Sequence, residues 1–395
     1  MTEMNYHLIN ESKLQEIADL WDYCFEKKEE FFHQWYFNEY CLKQNQIVAG
    51  FDDEGRLANM VHLNPYRLSI RGKQTETMYL VGVATESVFR GRRLTRGLLE
   101  LTLAILRAKG INSVLLMPEH AGVYLPYQFA FTYFRHRYNM PLSELNAPVP
   151  EDALRLERVN IGECKAIFAD LYSRQMLAKH AFVCRGEREW NNFLTVFSQE
   201  KGEAVIAYLG NNPLGYMFYQ RTGVAFRVHE LIYLEHEVKW SFLHYAKQHV
   251  AQCQNFEWLA GEGDLSHLQF TNQKYAGCLQ PFAMSRVINV AGVLADLKAD
   301  GDLRGSFVLL VTDKLLKANN SLLSLNVENG VVEVKPAFEL PDVEMDVAAF
   351  TQLFFGQFSL NELAAEGLAT VCSKPAADLL AGLFPKCKNY LNEYY

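Results

Sequence analysis

The chain has 395 residues, is 49% hydrophobic and 13% aromatic, and carries a formal net charge of −8. That length and apolar content suit about two to three packed domains, and the acidic balance excludes a general nucleic-acid binder. No apolar run approaches the ~18 residues of a spanning helix, so no membrane span is expected. The start has no secretory leader and the eight cysteines include no C-x-x-C pair, so they are expected as reduced thiols in the cytoplasm.

Residues 1–145 read as the first unit. Ser12 with Gln15 predicts a capping box ahead of a helix carrying Leu14, Ile17, Trp21 and Phe25 at helical spacing. An aromatic helix is expected over 31–42, then strands over 47–51, 57–63 and 67–70. A turn at Arg71-Gly72-Lys73 leads into a long strand ending at Val83. The following stretch carries Arg90, Arg92, Arg93 and Arg96 within seven residues, then Leu94, Leu98, Leu101 and Ile105 on one helix face, with Gly110 as a stop. A buried-type strand over 113–117, a loop and a further strand near 131–139 complete the unit. The segment 141–150 reads as a linker.

Cations at a helix N-terminus are electrostatically misplaced, because that end carries about +0.5 charge and its free N–H groups point outward. An anion among the arginines would reverse the balance: N–H groups and guanidinium forks together make a diphosphate cradle. A basic, solvated loop is the other reading of the same residues.

Residues 146–285 repeat the order of helices, strands, helix and strand, with no basic cluster before the helix expected over 239–251. They read as a second copy that has lost its cofactor site. Residues 286–395 form the third unit. Asn329-Gly330 between two apolar runs predicts a hairpin, and Ser359 with Glu362 predicts a capped helix through Leu368.

Phe89-Arg90-Gly91-Arg92-Arg93-Leu94-Thr95 resembles the acetyl-CoA signature of GNAT N-acetyltransferases, an aromatic followed by R-G-x-G-x-G/A. Arg93 and Thr95 stand where that pattern prefers glycine or another small residue. The layout resembles the Eis (enhanced intracellular survival) family: α+β and α/β tandem GNAT-like domains, the second degenerate, and a C-terminal sterol-carrier-protein-like domain. The matching stretches are GVATESVFRGRRL, YLPYQF at 124–129, 228–247, 284–290, 351–356 and 383–385. The resemblance implies acetyl-CoA contacts from Val83, Ala84 and Thr85 at the strand end. It implies diphosphate contacts from Gly91, Arg92, Arg93, Leu94, Thr95 and Arg96, and further contacts from Glu119 and His120. It also implies a homo-oligomer, a hexamer.

Acetyl transfer to an amine needs a base for the ammonium proton, donors for the oxyanion and an acid for the leaving thiolate. The family's acid is a tyrosine followed by three residues and then glycine-aromatic. Here Tyr124 precedes Leu125-Pro126-Tyr127 and then Gln128-Phe129, so Tyr124 is the expected acid and Tyr127 the alternate. The resemblance further implies that the terminal carboxylate, that of Tyr395, enters the first domain's site as base. The expected reaction is N-acetylation of a small polyamine-like or aminoglycoside-like amine. A lysine acetyltransferase acting on peptides and a non-catalytic acyl-CoA or lipid binder are the alternatives. The loop sequence Gly261-Glu262-Gly263-Asp264 and the histidines at 229, 236, 244 and 249 lack phosphate-loop or ligand spacing, so no metal is expected.

Overall fold

A computed structural model of the chain describes residues 4–149, 153–275 and 277–394. The chain divides into two compact units. One holds residues 4–132, 282–387 and 393–394; the other holds residues 133–281 and 388–392, within the described limits.

In the first unit, strands Asn5–Leu8, Gln46–Phe51, Leu57–Ile70 and Lys73–Thr85 pair antiparallel in that order. Ser113–Leu116 then adds in parallel, and residues 284–287 close the row antiparallel to it. The two strands expected at 57–63 and 67–70 are one continuous strand, despite Pro65. Pairing to Gln46–Phe51 ends at Leu63, so the prolyl nitrogen removes no ladder bond on that side.

Helix Leu14–Cys24 starts after a turn capped by Asn10, whose Oδ1 accepts from the Ser12 N–H at 3.1 Å. Asn10 therefore replaces the expected Ser12 cap, because its longer side chain reaches the free donor two residues on. The aromatic helix is helical over Phe31–Trp35 and widens to a π-turn over Tyr36–Tyr40.

Helix Thr95–Ala108 buries Leu98, Leu99, Leu103 and Leu106 against Val48, Val61, Leu80 and Val114. Leu101 and Ile105, expected on the main buried face, are only partly buried. The stripe is rotated by about one residue, and Leu99 and Leu103 lie at its centre.

The sterol-carrier-like segment of this unit is a five-stranded sheet. Gly305–Thr312 lies between Ser321–Glu328, antiparallel, and Val343–Asp346, parallel. The expected hairpin forms at Asn329 (φ 52°) and Gly330 (φ 78°), the left-handed pair that two-residue hairpins favour. Ser359 and Glu362 form the expected capping box, but the helix runs only over Leu360–Ala365.

In the second unit, Leu154–Val159, Glu203–Leu209, Asn212–Arg221 and Ala225–Tyr233 pair antiparallel in that order. Asn255–Gly261 follows in parallel, and residues 135–141 close the row antiparallel to it. Helix His236–Lys247 covers one face and helices Lys165–Met176 and Glu187–Gln199 the other.

Candidate active site

The strand Lys73–Thr85 departs from regular pairing at its end. Met60 pairs with Ala84 while His62 pairs with Val81, so Gly82 and Val83 together oppose Val61 in a β-bulge. Gly82 has φ 57°, and a side chain there would strike the Trp21 ring at 2.3 Å, so glycine is required. On its other edge the strand pairs with Ser113–Leu116 only at Met78–Val114 and Tyr79–Leu115. Past Tyr79 the two strands part, leaving backbone groups of residues 80–85 facing a gap.

Residues 86–94 lead from this gap to the helix. Phe89 is buried beneath the loop, and the Arg92 guanidinium lies 5.2 Å from its ring centre. That explains the aromatic at the head of the motif: it anchors the turn and leaves the following backbone free. Arg90 Nε donates to Thr85 O at 3.0 Å, and Tyr6 hydroxyl donates to Leu94 O at 3.0 Å. Among the described residues, the N–H groups of Gly91, Arg92, Arg93 and Leu94 have no acceptor. Gly91 has φ 77° and Arg93 has φ 59°. The arginine therefore keeps the left-handed backbone that glycine usually supplies, and the cradle retains its shape. The Arg90, Arg92, Arg93 and Arg96 side chains are all exposed, Arg96 pairing with Glu100 at 2.9 Å.

These residues line a cleft of about 690 Å³ together with Thr85, Phe89, Gly122, Val123, Pro126, Tyr127, Lys314 and Leu315. The free N–H groups and guanidinium forks on one wall fit a diphosphate, and the gap beyond Tyr79 fits an extended arm reaching the sheet. Val83 is half-buried, Ala84 is buried, and Thr85 borders the cleft. Glu119 and His120 lie on an exposed loop outside the cleft lining.

The tyrosine turn follows that loop. Tyr124 is buried, edge-on to Phe129 at 5.8 Å, and burial pushes its phenol up to about 12. Among the described residues its hydroxyl has no hydrogen-bond partner. Gln128 has φ 59° and so occupies the left-handed position where the motif places glycine, four residues after Tyr124. Its side chain accounts for the exchange. Oε1 accepts from the Lys314 N–H at 2.7 Å, and Nε2 donates to Asp346 at 3.0 Å.

Lys314 and Leu315 enter the site from 186 residues further on, and no local sequence signal marks them. They are held by Asp313. Its Oδ1 accepts from Leu315 N–H (2.8 Å), Leu316 N–H (2.7 Å) and Arg286 Nη2 (2.7 Å). Its Oδ2 accepts from Arg286 Nη1 (3.1 Å) and Asn319 Nδ2 (2.9 Å). Arg286 and Asp313 side chains are both fully buried, and Arg286 Nε donates to Tyr127 O at 2.9 Å. One ion pair thus braces both the tyrosine turn and the facing wall.

Tyr395, the expected base, lies outside the described residues. Nearby, Tyr79 hydroxyl donates to Glu393 O at 3.2 Å, and the Tyr394 ring stands edge-on to Phe282. Among the described residues no cluster of three or more His, Cys, Asp or Glu could hold a metal ion, and no helix is long and apolar enough to cross a membrane.

Residues 5–132 match the acetyltransferase (GNAT) domain family, residues 181–287 match a second acetyltransferase (GNAT) domain family, and residues 290–392 match the sterol carrier protein domain. No curated protein sequence matches the chain. Among solved structures, a probable N-acyltransferase from Enterococcus faecalis is similar at 20% identity over 100% of both chains, with a TM-score of 0.88. A GCN5-related N-acetyltransferase from Anabaena variabilis aligns at 18% identity over 100% of both chains, with a TM-score of 0.84. Eis1 from Mycobacterium abscessus aligns at 15% identity over 100% of both chains, with a TM-score of 0.75.

The fold and the matched domains define a tandem GNAT protein with a sterol-carrier domain. The two acetyltransferase (GNAT) domains make the chain an N-acetyltransferase, and its fold over the full length is similar to that of Eis1. Enzymes of this class draw their acetyl group from acetyl-CoA.

Proposed function

We propose that the chain acetylates a primary amine of a small polyamine-like or aminoglycoside-like acceptor. The observation that carries this reading is the single cleft bordered by the arginine loop, the end of the bulged strand and the tyrosine turn. Arg92, Arg93, Arg96 and the free N–H groups of 91–94 would hold the diphosphate of acetyl-CoA, which supplies the acyl thioester. Backbone groups past Tyr79 would orient the pantetheine arm and donate to the oxyanion. Tyr124, whose phenol is protonated at neutral pH even at its ordinary value, would give its proton to the departing thiolate; burial raises its pKa and makes it the weaker acid. Tyr127, which borders the cleft, is the alternate donor. An alkyl amine is mostly protonated at neutral pH, so a base must first take its proton. The carboxylate of Tyr395 is proposed for that task, supported by the anchoring of Glu393 on Tyr79, the last residue paired before the gap.

The same reading makes the protein a cytoplasmic homo-oligomer, a hexamer by family likeness; light scattering on the purified protein tests the assembly. The reaction is tested by incubating the protein with acetyl-CoA and a panel of amines and following free thiol. Turnover with small polyamines or aminoglycosides is expected. Turnover confined to lysine peptides would replace this acceptor class, and binding without turnover would refute the reading. Adding one residue after Tyr395 should lower kcat far more than it lowers stability; full activity would remove the carboxylate from the mechanism.

A further inference from the structure

The second unit repeats the strand geometry of the first without its cofactor loop. Only Leu234 and Glu235 separate strand Ala225–Tyr233 from helix His236–Lys247, too short a link for a diphosphate cradle. The strand is nevertheless bulged: Phe218 pairs with Glu230 and Tyr219 with Val228, so His229 is the extra residue. It pairs in parallel with Asn255–Gly261 only as far as Val228–Trp258, and beyond that point the two strands part. This is the bulge and splay that, in the first unit, open the cleft.

Here the gap holds protein. Asn392 Nδ2 donates to the carbonyl of the bulged His229 at 3.2 Å and to Glu230 Oε2 at 3.0 Å. Tyr390 hydroxyl donates to Glu230 Oε2 at 3.2 Å, and its ring lies 3.7 Å from the Cβ position of Gly261 at the end of the partner strand. Arg135 Nη1 donates to Asn392 Oδ1 at 2.6 Å. The tail backbone is gripped as well: His180 N–H donates to Lys388 O at 2.9 Å, and Tyr390 N–H to His180 O at 3.0 Å. Asn389, Tyr390, Leu391 and Asn392 are all buried.

Glu230 is the centre of this grip. Arg185 holds it in a two-pronged pair at 2.8 Å on each oxygen, and Tyr216 hydroxyl donates to Oε1 at 2.7 Å. A fully buried charge pair is a poor source of stability, because a well-packed apolar pair of similar volume serves as well or better. The pair here has a different use: Glu230 Oε2 is the acceptor on which two tail side chains converge.

We propose that the transfer cleft of the second GNAT unit has become a peptide socket for the chain's own segment 388–392, with Glu230 as its positioning residue. The socket clamps the chain three residues before its end, so it limits where the terminal carboxylate can go. That consequence for catalysis rests on the reading of Tyr395 as base.

The test uses the full chain in two variants, Glu230→Gln and Asn392→Ala, with Glu257→Gln, which removes only an exposed ion pair with Arg227 on the same sheet, as control. Hydrogen exchange at the Tyr390 amide reports the socket. Losing a buried charge-assisted bond should speed it on the order of tenfold or more in both variants and leave it unchanged in the control. Kinetics report the consequence: kcat should fall in both variants while KM for acetyl-CoA stays constant. Wild-type exchange in Asn392→Ala and Glu230→Gln overturns the socket. Faster exchange with kcat retained upholds the socket and overturns the carboxylate as base. Should Glu230→Gln fail to fold, Asn392→Ala alone decides, since it leaves the Arg185 pair intact.

Discussion

Replacing Asp313 by asparagine tests how the sterol-carrier-like segment builds the cleft. The carboxylate accepts five hydrogen bonds, three on Oδ1 and two on Oδ2. An amide can keep the three by placing its oxygen at Oδ1. Its NH₂ then faces two donors, Arg286 Nη1 and Asn319 Nδ2, and both bonds are lost. Arg286 is also left charged in a site without solvent. Breaking one side of a buried ion pair costs about 3–5 kcal/mol, and the two lost bonds are part of that figure. Because Arg286 also holds Tyr127 O, the loss reaches the tyrosine-turn wall of the cleft, while the 315–316 backbone keeps its bonds to the amide oxygen. Urea unfolding should show the midpoint falling by an amount equivalent to that cost, and calorimetric titration should show weaker acetyl-CoA binding. The double variant Arg286→Met, Asp313→Leu leaves no charge unpaired but strips the Leu315 and Leu316 N–H groups and Asn319 of their acceptor and the Tyr127 carbonyl of its donor, so it should restore neither the full stability nor the affinity. A stability loss below about 1 kcal/mol for Asp313→Asn, or unchanged affinity in the double variant, would refute this account of the cleft.

Arg92→Ala and Arg93→Ala should each weaken acetyl-CoA binding about tenfold, less at high salt, with no change in unfolding midpoint because both side chains are exposed; equal affinity would clear them of diphosphate binding. Tyr124→Phe should lower kcat on the order of a hundredfold with little change in KM, and Tyr127→Phe should have the smaller effect; the reverse order in steady-state kinetics would move the acid to Tyr127. His62 is buried and His229 half-buried, and desolvation lowers their pKa values to about 3 and about 4, from an ordinary 6.5. Below pH 6.5 the unfolded chain takes up protons at these sites and the native chain does not, so stability falls with pH. Between pH 7 and 4.5 each histidine should remove about 2–3 kcal/mol. Denaturant titrations across this range should show the loss, and His62→Gln should flatten it; an unchanged slope would show that His62 does not carry that linkage.

Much of this protein was readable in one dimension. Periodicity located the arginine-entered helix, Asn329-Gly330 its hairpin, and Ser359 with Glu362 a capped helix, because each depends on residues within a few positions of one another. The form of the arginine-rich loop was legible for the same reason: Phe89, Gly91 and the arginines lie on contiguous backbone, and Arg93 keeps the glycine-like φ of its position. The glycine place at Gln128 could be read only as a departure. Its φ of 59° and its two bonds to the third segment explain why an amide stands there.

What tertiary structure alone decided was long-range. Lys314 and Leu315 border the cleft because Gln128, Arg286 and Asp313 meet across the first unit, and no spacing in the chain encodes that meeting. Nor did composition show why a second domain without a cofactor loop keeps its bulge and splay. Local rules specify turns, caps and helix faces through neighbouring atoms. Which distant side chain satisfies a buried carboxylate such as Asp313 or Glu230 is settled only when the packed chain excludes water and every charge must find a partner.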